Sequence, residues 1–261
     1  MDVDFEVYPG EVVALVGDNG AGKSTLIKAI AGTQPADRGS FRFEGREVSI
    51  RKPSDANRLG IETVYQDLAL CDNLDVVANL YLGRELARPR ALPDPLRVLT
   101  EGHMEEHAGE RMRELQVTTI DSLRDRVGSL SGGQRQAVAV ARATLWDAKL
   151  LILDEPTAAL GVSQTAQVLD LIRHLRAQGL GIVVITHNIE VVFEVADRIV
   201  VLYMGRRSAT FDQRATTPRE VVSAIVGLEV SAGHEDRSRL AGHLDVLAGR
   251  DHEGANRSER A

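Results

Sequence analysis

Gly17-Asp18-Asn19-Gly20-Ala21-Gly22-Lys23-Ser24 follows the pattern G-x-x-x-x-G-K-[ST], and its flanks dictate what the surrounding chain must become. Before it stands Val12-Val13-Ala14-Leu15-Val16, a short apolar run that fits a buried strand. After it comes Thr25-Leu26-Ile27-Lys28-Ala29-Ile30-Ala31, a helical pattern with Gly32 placed to end it. A strand, a glycine-rich turn and a helix in that order aim backbone N–H groups and the positive helix end at one point. A polyphosphate fits there, cradled by the loop and Thr25, with Lys23 at the β- and γ-phosphates and Ser24 on Mg²⁺. A glycine-rich turn that binds nothing would need neither flank. The spacing therefore predicts a nucleoside triphosphate site.

Composition narrows the setting. The chain has 261 residues, enough for one large domain or a core with a subdomain, and 43% of them are hydrophobic, ample for a packed core. Aromatic residues make up 4%, too few for a stacking platform along single-stranded nucleic acid, and a net charge of −7 offers no general attraction to DNA, RNA or an anionic bilayer. No nucleic-acid partner is expected. Cys71 is the single cysteine, which excludes an internal disulfide and a cysteine-based metal site and suits a reducing cytoplasm. No apolar run reaches the ~20 residues that span a membrane, and no signal peptide is recognisable, so any membrane role is expected to be peripheral.

The apolar runs at 11–16, 61–65, 150–153, 182–186 and 198–203 alternate with helical patterns, the mark of an α/β fold with a mainly parallel sheet. Phe41-Arg42-Phe43 and Glu47-Val48-Ser49-Ile50 alternate instead and predict a small antiparallel β edge. Over 73–127 strand-like runs vanish, and charged helical stretches surround Pro89, Pro93 and Pro95. This is read as an inserted α-helical subdomain, about 73–145 when the following helix is included. The expected domain runs from 1 to 228, and the polar stretch 229–261 is expected to be a disordered tail. There is no internal repeat, so one ATPase unit is expected.

Leu150-Leu151-Ile152-Leu153-Asp154-Glu155 is an apolar strand that delivers two carboxylates to its tip. Beside a phosphate loop, Asp154 would hold the Mg²⁺ hydration shell and Glu155 would take the proton of the attacking water. Leu130-Ser131-Gly132-Gly133-Gln134 precedes a helical pattern over 135–146 and forms a second helix N-terminus suited to phosphate. One nucleotide rarely needs two such sites, so this one is expected to serve ATP held by another subunit. Here the sequence resembles the ATP-binding-cassette ATPases, whose signature is LSGGQ; the likeness covers essentially residues 3–228, with the motifs in the family's order.

The resemblance implies a P-loop NTPase core, ATP hydrolysis with Mg²⁺, and a homodimer with ATP between one phosphate loop and the opposite Ser131-Gly132-Gly133-Gln134. It further implies that Gln66 touches Mg²⁺ or water and links the site to the helical subdomain, and that His187 contacts the γ-phosphate and helps hold Glu155. His103, His107, His174 and His234 lack such context and are read as surface residues, and Cys71 as a small apolar residue after the Gln66 loop. Gly161 stands where most of the family has an aspartate, as in a subgroup of single-cassette sugar importers, and is not read as inactivating.

The family normally stacks adenine on an aromatic residue well upstream of the phosphate loop, in a segment that also supplies the first strand. That position precedes Met1, and Tyr8 lies in the turn entering the phosphate-loop strand. The expectation is a truncated first strand, a sheet edge exposed near Phe5, and ATP affinity weakened by a stacking contact of about 1–3 kcal/mol.

Residues 60–70, with Asn79-Leu80-Tyr81-Leu82-Gly83-Arg84-Glu85, resemble the ribose/xylose/fructose-type carbohydrate importers of bacteria. In that family these residues meet the permease. The implied partners are a transmembrane permease and a periplasmic sugar-binding protein, with this chain peripheral on the cytoplasmic face of the membrane. An alternative, a soluble cassette ATPase acting on DNA or ribosomes, would call for tandem cassettes, zinc-binding cysteines, coiled-coil arms or basic segments, none of which is visible.

Overall fold

The structure, a computed structural model, describes residues 3–88 and 98–228. Five apolar runs become parallel strands because each can bury both of its faces. They are β1 (Val12–Gly17), β4 (Ile61–Val64), β7 (Leu150–Asp154), β8 (Gly181–Ile185) and β9 (Arg198–Tyr203). With β10 (Arg206–Asp212) they form a six-stranded sheet in the order β10-β9-β1-β8-β7-β4, β10 alone running antiparallel. β10 has no counterpart in the sequence reading. Its residues are mostly polar and exposed, and an edge strand needs no apolar run to pair on one side.

Period-two alternation sends neighbouring side chains to opposite cores. Leu151, Leu153, Ile182 and Val184 face one cluster, while Ile152, Val183 and Ile185 face the other. The first cluster is covered by α3 (Val76–Tyr81), α4 (Glu101–Glu114), α5 (Gly132–Thr144), α6 (Val162–Ala177) and α7 (Ile189–Val195). The second is covered by α1 (Lys23–Ile30), α2 (Pro53–Leu59) and the hairpin β2 (Phe41–Phe43) with β3 (Arg46–Val48). α8 (Pro218–Ile225) packs beside β9 and β10. Each fully buried leucine or isoleucine contributes about 1.5–3 kcal/mol, and Leu15, Leu151, Ile152, Leu153 and Ile182 are all completely enclosed.

The 41–50 stretch forms the small antiparallel sheet expected of it, Phe41 opposite Val48, apart from the six-stranded sheet. Two expectations need correction. The 73–127 stretch is not purely helical, since β5 (Ala87–Arg88) pairs with β6 (Val98–Leu99); Pro89, Pro93 and Pro95 lie outside the described residues. The six-stranded sheet has its edges at β10 and β4, and Val3, Phe5 and Val7 lie in no strand but pack onto the second core instead of leaving an open edge of that sheet. Arg207 donates to Asp4 O at 3.0 Å and Arg198 to Glu6 O, which ties that segment down. The 229–261 stretch and His234 lie outside the described residues. No helix among the described residues is long and apolar enough to cross a membrane.

Candidate functional site

The parallel strands end together, and their carboxyl ends carry the predicted residues. Gly17 closes β1 at a φ of 153°, and a Cβ there would lie 2.4 Å from Leu202 O on β9. Only glycine lets the chain turn away at that point. Asp18, Asn19 and Gly20 stay exposed, Ala21 is buried, and Gly205 N donates to Ala21 O at 2.9 Å from the β9–β10 turn. Gly22, at φ 104°, caps α1 without a side-chain hydrogen bond, whereas Asp75, Ser131, Asn188 and Thr217 cap α3, α5, α7 and α8 with theirs. The opening N–H groups of α1 thus lack a side-chain acceptor, and an anion is the acceptor that geometry suits. Lys23 folds back over the loop, its Nζ donating to Gly17 O at 2.6 Å and Asp18 O at 3.1 Å. Ser24 and Thr25 are exposed beside it.

Register fixes the neighbours. Asp154 pairs with Ile185 on β8, and Ile185 pairs with Leu15 on β1, so the tip of β8 lies between the acid pair and the phosphate loop. Val64 pairs with Leu153, so Gln66 and Glu155 each lie two residues beyond paired positions on adjacent strands. Asp154 is half-buried; burial raises its carboxyl pKa, Glu155 raises it further, and Lys23 opposes both. Glu155 takes a left-handed φ of 50°, with its N–H donating to Ile185 O at 2.8 Å. Its carboxylate accepts from Thr186 Oγ1 at 3.2 Å, and His187 Nδ1 lies 2.7 Å from its other oxygen. Lys23, Asp154, Glu155 and His187 are therefore brought together, with Gln66 exposed at the adjoining strand end.

The signature residues lie in a second group. Ser131 is the N-cap of α5, accepting from Gln134 N at 3.3 Å, while Gln134 Oε1 accepts from Ser131 N at 2.8 Å. The helix begins at Gly132, three residues before the predicted start. Cβ atoms on Gly132 and Gly133 would lie 2.7 Å from Leu160 and 3.1 Å from Gln164, so these glycines pack against the segment after the acid pair. Among the described residues, the Ser131 side chain bonds only to Gln134. Gly161 opens α6, its N–H donating to Gln164 Oε1 at 3.3 Å, and a Cβ on it would meet nothing within 4 Å.

Sequence reasoning missed several supports. Arg142 on α5 donates to Leu68 O at 2.8 Å and Ala69 O at 2.7 Å, and Arg135 meets Asp72 at 2.6 Å, so α5 clamps the loop that follows Gln66. Buried Asn79 accepts from Cys71 N at 2.7 Å and closes the same loop. Hence Asn79, Leu80 and Tyr81 are core, and within 79–85 only Leu82 onward is exposed. Two histidines read as surface residues are half-buried: His107 Nδ1 lies 2.7 Å from Tyr81 Oη, and His174 Nε2 lies 2.6 Å from Glu114 O. Thr186 offered a signal, a polar residue ending an apolar strand just before a histidine.

The chain matches the ABC transporter family over residues 1–158. It is 47% identical over 224 residues to the fructose import ATP-binding protein of Rhizobium meliloti, covering 86% of each chain. It is 50% identical over 204 residues to the xylose/arabinose import ATP-binding protein of Sulfolobus acidocaldarius, covering 78% of each. Among solved structures, an ATP-binding cassette of an ABC transporter in its ADP conformation superposes with a TM-score of 0.71 at 26% identity, over 85% of this chain and 90% of that one. A phosphate loop, an acid pair and a signature helix on a P-loop sheet, together with these matches, establish that the chain belongs to the ABC transporter family as an ATP-binding, ATP-hydrolysing cassette.

Proposed function

We propose that this cassette energises carbohydrate import, hydrolysing ATP as a homodimer beneath a separate transmembrane permease fed by a periplasmic sugar-binding protein. The carbohydrate reading rests on the names of the relatives, which import fructose and xylose or arabinose. Attachment is peripheral, on the cytoplasmic face. Residues 1–228 are taken as the ATPase domain.

The observation that carries the chemistry is the Glu155 carboxylate, held by Thr186 and His187 next to the phosphate loop. The loop from Gly17 to Thr25 binds the phosphates through its backbone N–H groups, and Lys23 exchanges its carbonyl partners for phosphate oxygens. Glu155 accepts a proton from water as the water oxygen bonds to the γ-phosphorus and the bond to the ADP oxygen breaks. His187 contacts the γ-phosphate and keeps Glu155 and the water aligned. Ser131, Gly132, Gly133 and Gln134 act on ATP held by the partner subunit, a reading supported by the Ser131 side chain, which among the described residues bonds only to Gln134 on its own helix.

Among the described residues no three His, Cys, Asp or Glu side chains are grouped to hold a metal unaided. The oxygen donors fit Mg²⁺, which keeps several waters and takes few protein ligands: exposed Ser24 and Gln66, and the half-buried, desolvated Asp154. Bound with ATP, the ion neutralises charge on the phosphates.

Glu155→Gln tests the reading, because the amide keeps the shape but cannot take the proton. Turnover should fall about 10²–10⁴-fold while ATP binding persists and ATP-bound dimers accumulate. Near-normal hydrolysis would remove Glu155 from this role. Uptake of labelled sugars in a deletion strain tests the transport assignment.

A further inference from the structure

Thr186 is fully enclosed yet polar; among the described residues Asn79 shares that condition, and Thr144 and Gln136 are buried almost as deeply. Asn79 and Thr144 spend their polar groups on nearby backbone N–H and carbonyl groups. Thr186 bonds instead to a side chain far along the sequence. Its Oγ1 donates to Glu155 Oε2 at 3.2 Å and accepts from Asn188 N at 3.1 Å.

A hydroxyl has one proton to give. With the Asn188 N–H already pointing at the oxygen, that proton is directed at Glu155. Asn188 is itself fixed, because its side chain accepts from Glu190 N at 2.9 Å and Val191 N at 3.3 Å as the cap of α7. A chain of bonds therefore runs from the start of α7 through Thr186 to the carboxylate. The other oxygen of Glu155 faces His187, whose side chain is 80% exposed against 17% for Glu155. One support is free to move toward solvent and the other is locked in the core. The backbone beneath the carboxylate is unusual too, with Glu155 at φ 50°, so the side chain leaves the strand at a sharp turn and needs a partner to fix its direction.

We propose that Thr186 is the positioning residue for hydrolysis, holding one Glu155 oxygen in place so that the other meets the attacking water even when His187 swings away. This rests on the reading of Glu155 as the base. Binding of ATP does not involve Thr186, so its removal should act on kcat and leave affinity alone.

The test compares Thr186→Val, which keeps the volume, with Thr186→Ser, which keeps the hydroxyl, and Thr186→Ala, which keeps neither. Thr186→Val and Thr186→Ala should lower kcat about ten- to a hundredfold, the range for losing a hydrogen bond to a charged group. ATP affinity and KM should stay within about twofold of the parent, the split expected when only the transition state loses a contact. Thr186→Ser should recover most of the rate. Repeating Thr186→Val on a Glu155→Gln background, by single-turnover hydrolysis, should produce no further loss. Parental kcat in Thr186→Val overturns the proposal. So does a Ser variant as slow as Ala, or an undiminished loss on the Glu155→Gln background, since each assigns the effect to packing. Substantial turnover by Glu155→Gln alone would overturn the base assignment first, and is separable from the other outcomes.

Discussion

Replacing Gly17 by alanine should destabilise the cassette far more than the same change at Gly20, three residues along the same loop. At Gly17 the φ is 153° and the new Cβ would sit 2.4 Å from Leu202 O and 3.0 Å from the Ala21 side chain. The backbone conformation alone costs an L-residue about 1–3 kcal/mol. Relief of the contact requires roughly 1 Å of separation between β1 and β9, whose register ends at the Gly17–Leu202 pair, and forfeits a ladder bond of about 1 kcal/mol. The total is about 2–4 kcal/mol, or roughly 4–16 °C in melting temperature for a domain of this size. At Gly20 the φ is 79° and a Cβ meets nothing within 4 Å. Only the left-handed penalty of about 1–2 kcal/mol remains, a shift of roughly 2–8 °C. Thermal melts of both variants without nucleotide make the comparison, and titration with ATP should show the larger loss of binding for Gly17→Ala, whose loop is displaced at its root. If Gly17→Ala melts at or above Gly20→Ala, the contact with Leu202 does not control the loop.

Lys23→Ala should abolish binding of the triphosphate while leaving the fold intact, measured by ATP titration alongside a melt, because a charge-assisted phosphate contact disappears. Ser131→Arg should suppress ATPase yet leave the monomer able to bind nucleotide. Mixed with Lys23→Ala it should regain activity through one undamaged composite site, and confirmed heterodimers without activity would count against sites shared between subunits. Asp154→Asn should lose ATPase but raise the melting temperature of the nucleotide-free protein at neutral pH. The folded pKa of Asp154 is raised above its unfolded value by burial and by Glu155, so the native state binds more protons in that window and loses stability as pH rises through it. The advantage of the amide should shrink as pH falls below the folded pKa; a variant that melts lower than the parent at neutral pH would refute the sign.

The phosphate loop, the acid pair, Gln66, the signature and His187 were legible because each is a local pattern at the end of an apolar strand or the start of a helix. Periodicity also marked the five parallel strands, since burial on both faces leaves a run of apolar residues that no solvated segment imitates. The partners of those residues were not legible. Thr186 reaches Glu155 across 31 positions of sequence, and Arg142 reaches Leu68 O across 74. A hydroxyl or guanidinium has no signature for a backbone or carboxylate that only strand order brings near it. The same holds for β10, whose polar residues become a strand because β9 offers an unpaired edge, and for Phe5, which packs on the second core without belonging to a strand. The sequence by itself marked which groups are candidates for the chemistry. The tertiary structure decided what holds them, because the order β1-β8-β7 brings Thr186 and His187 to the acid pair and beside the loop.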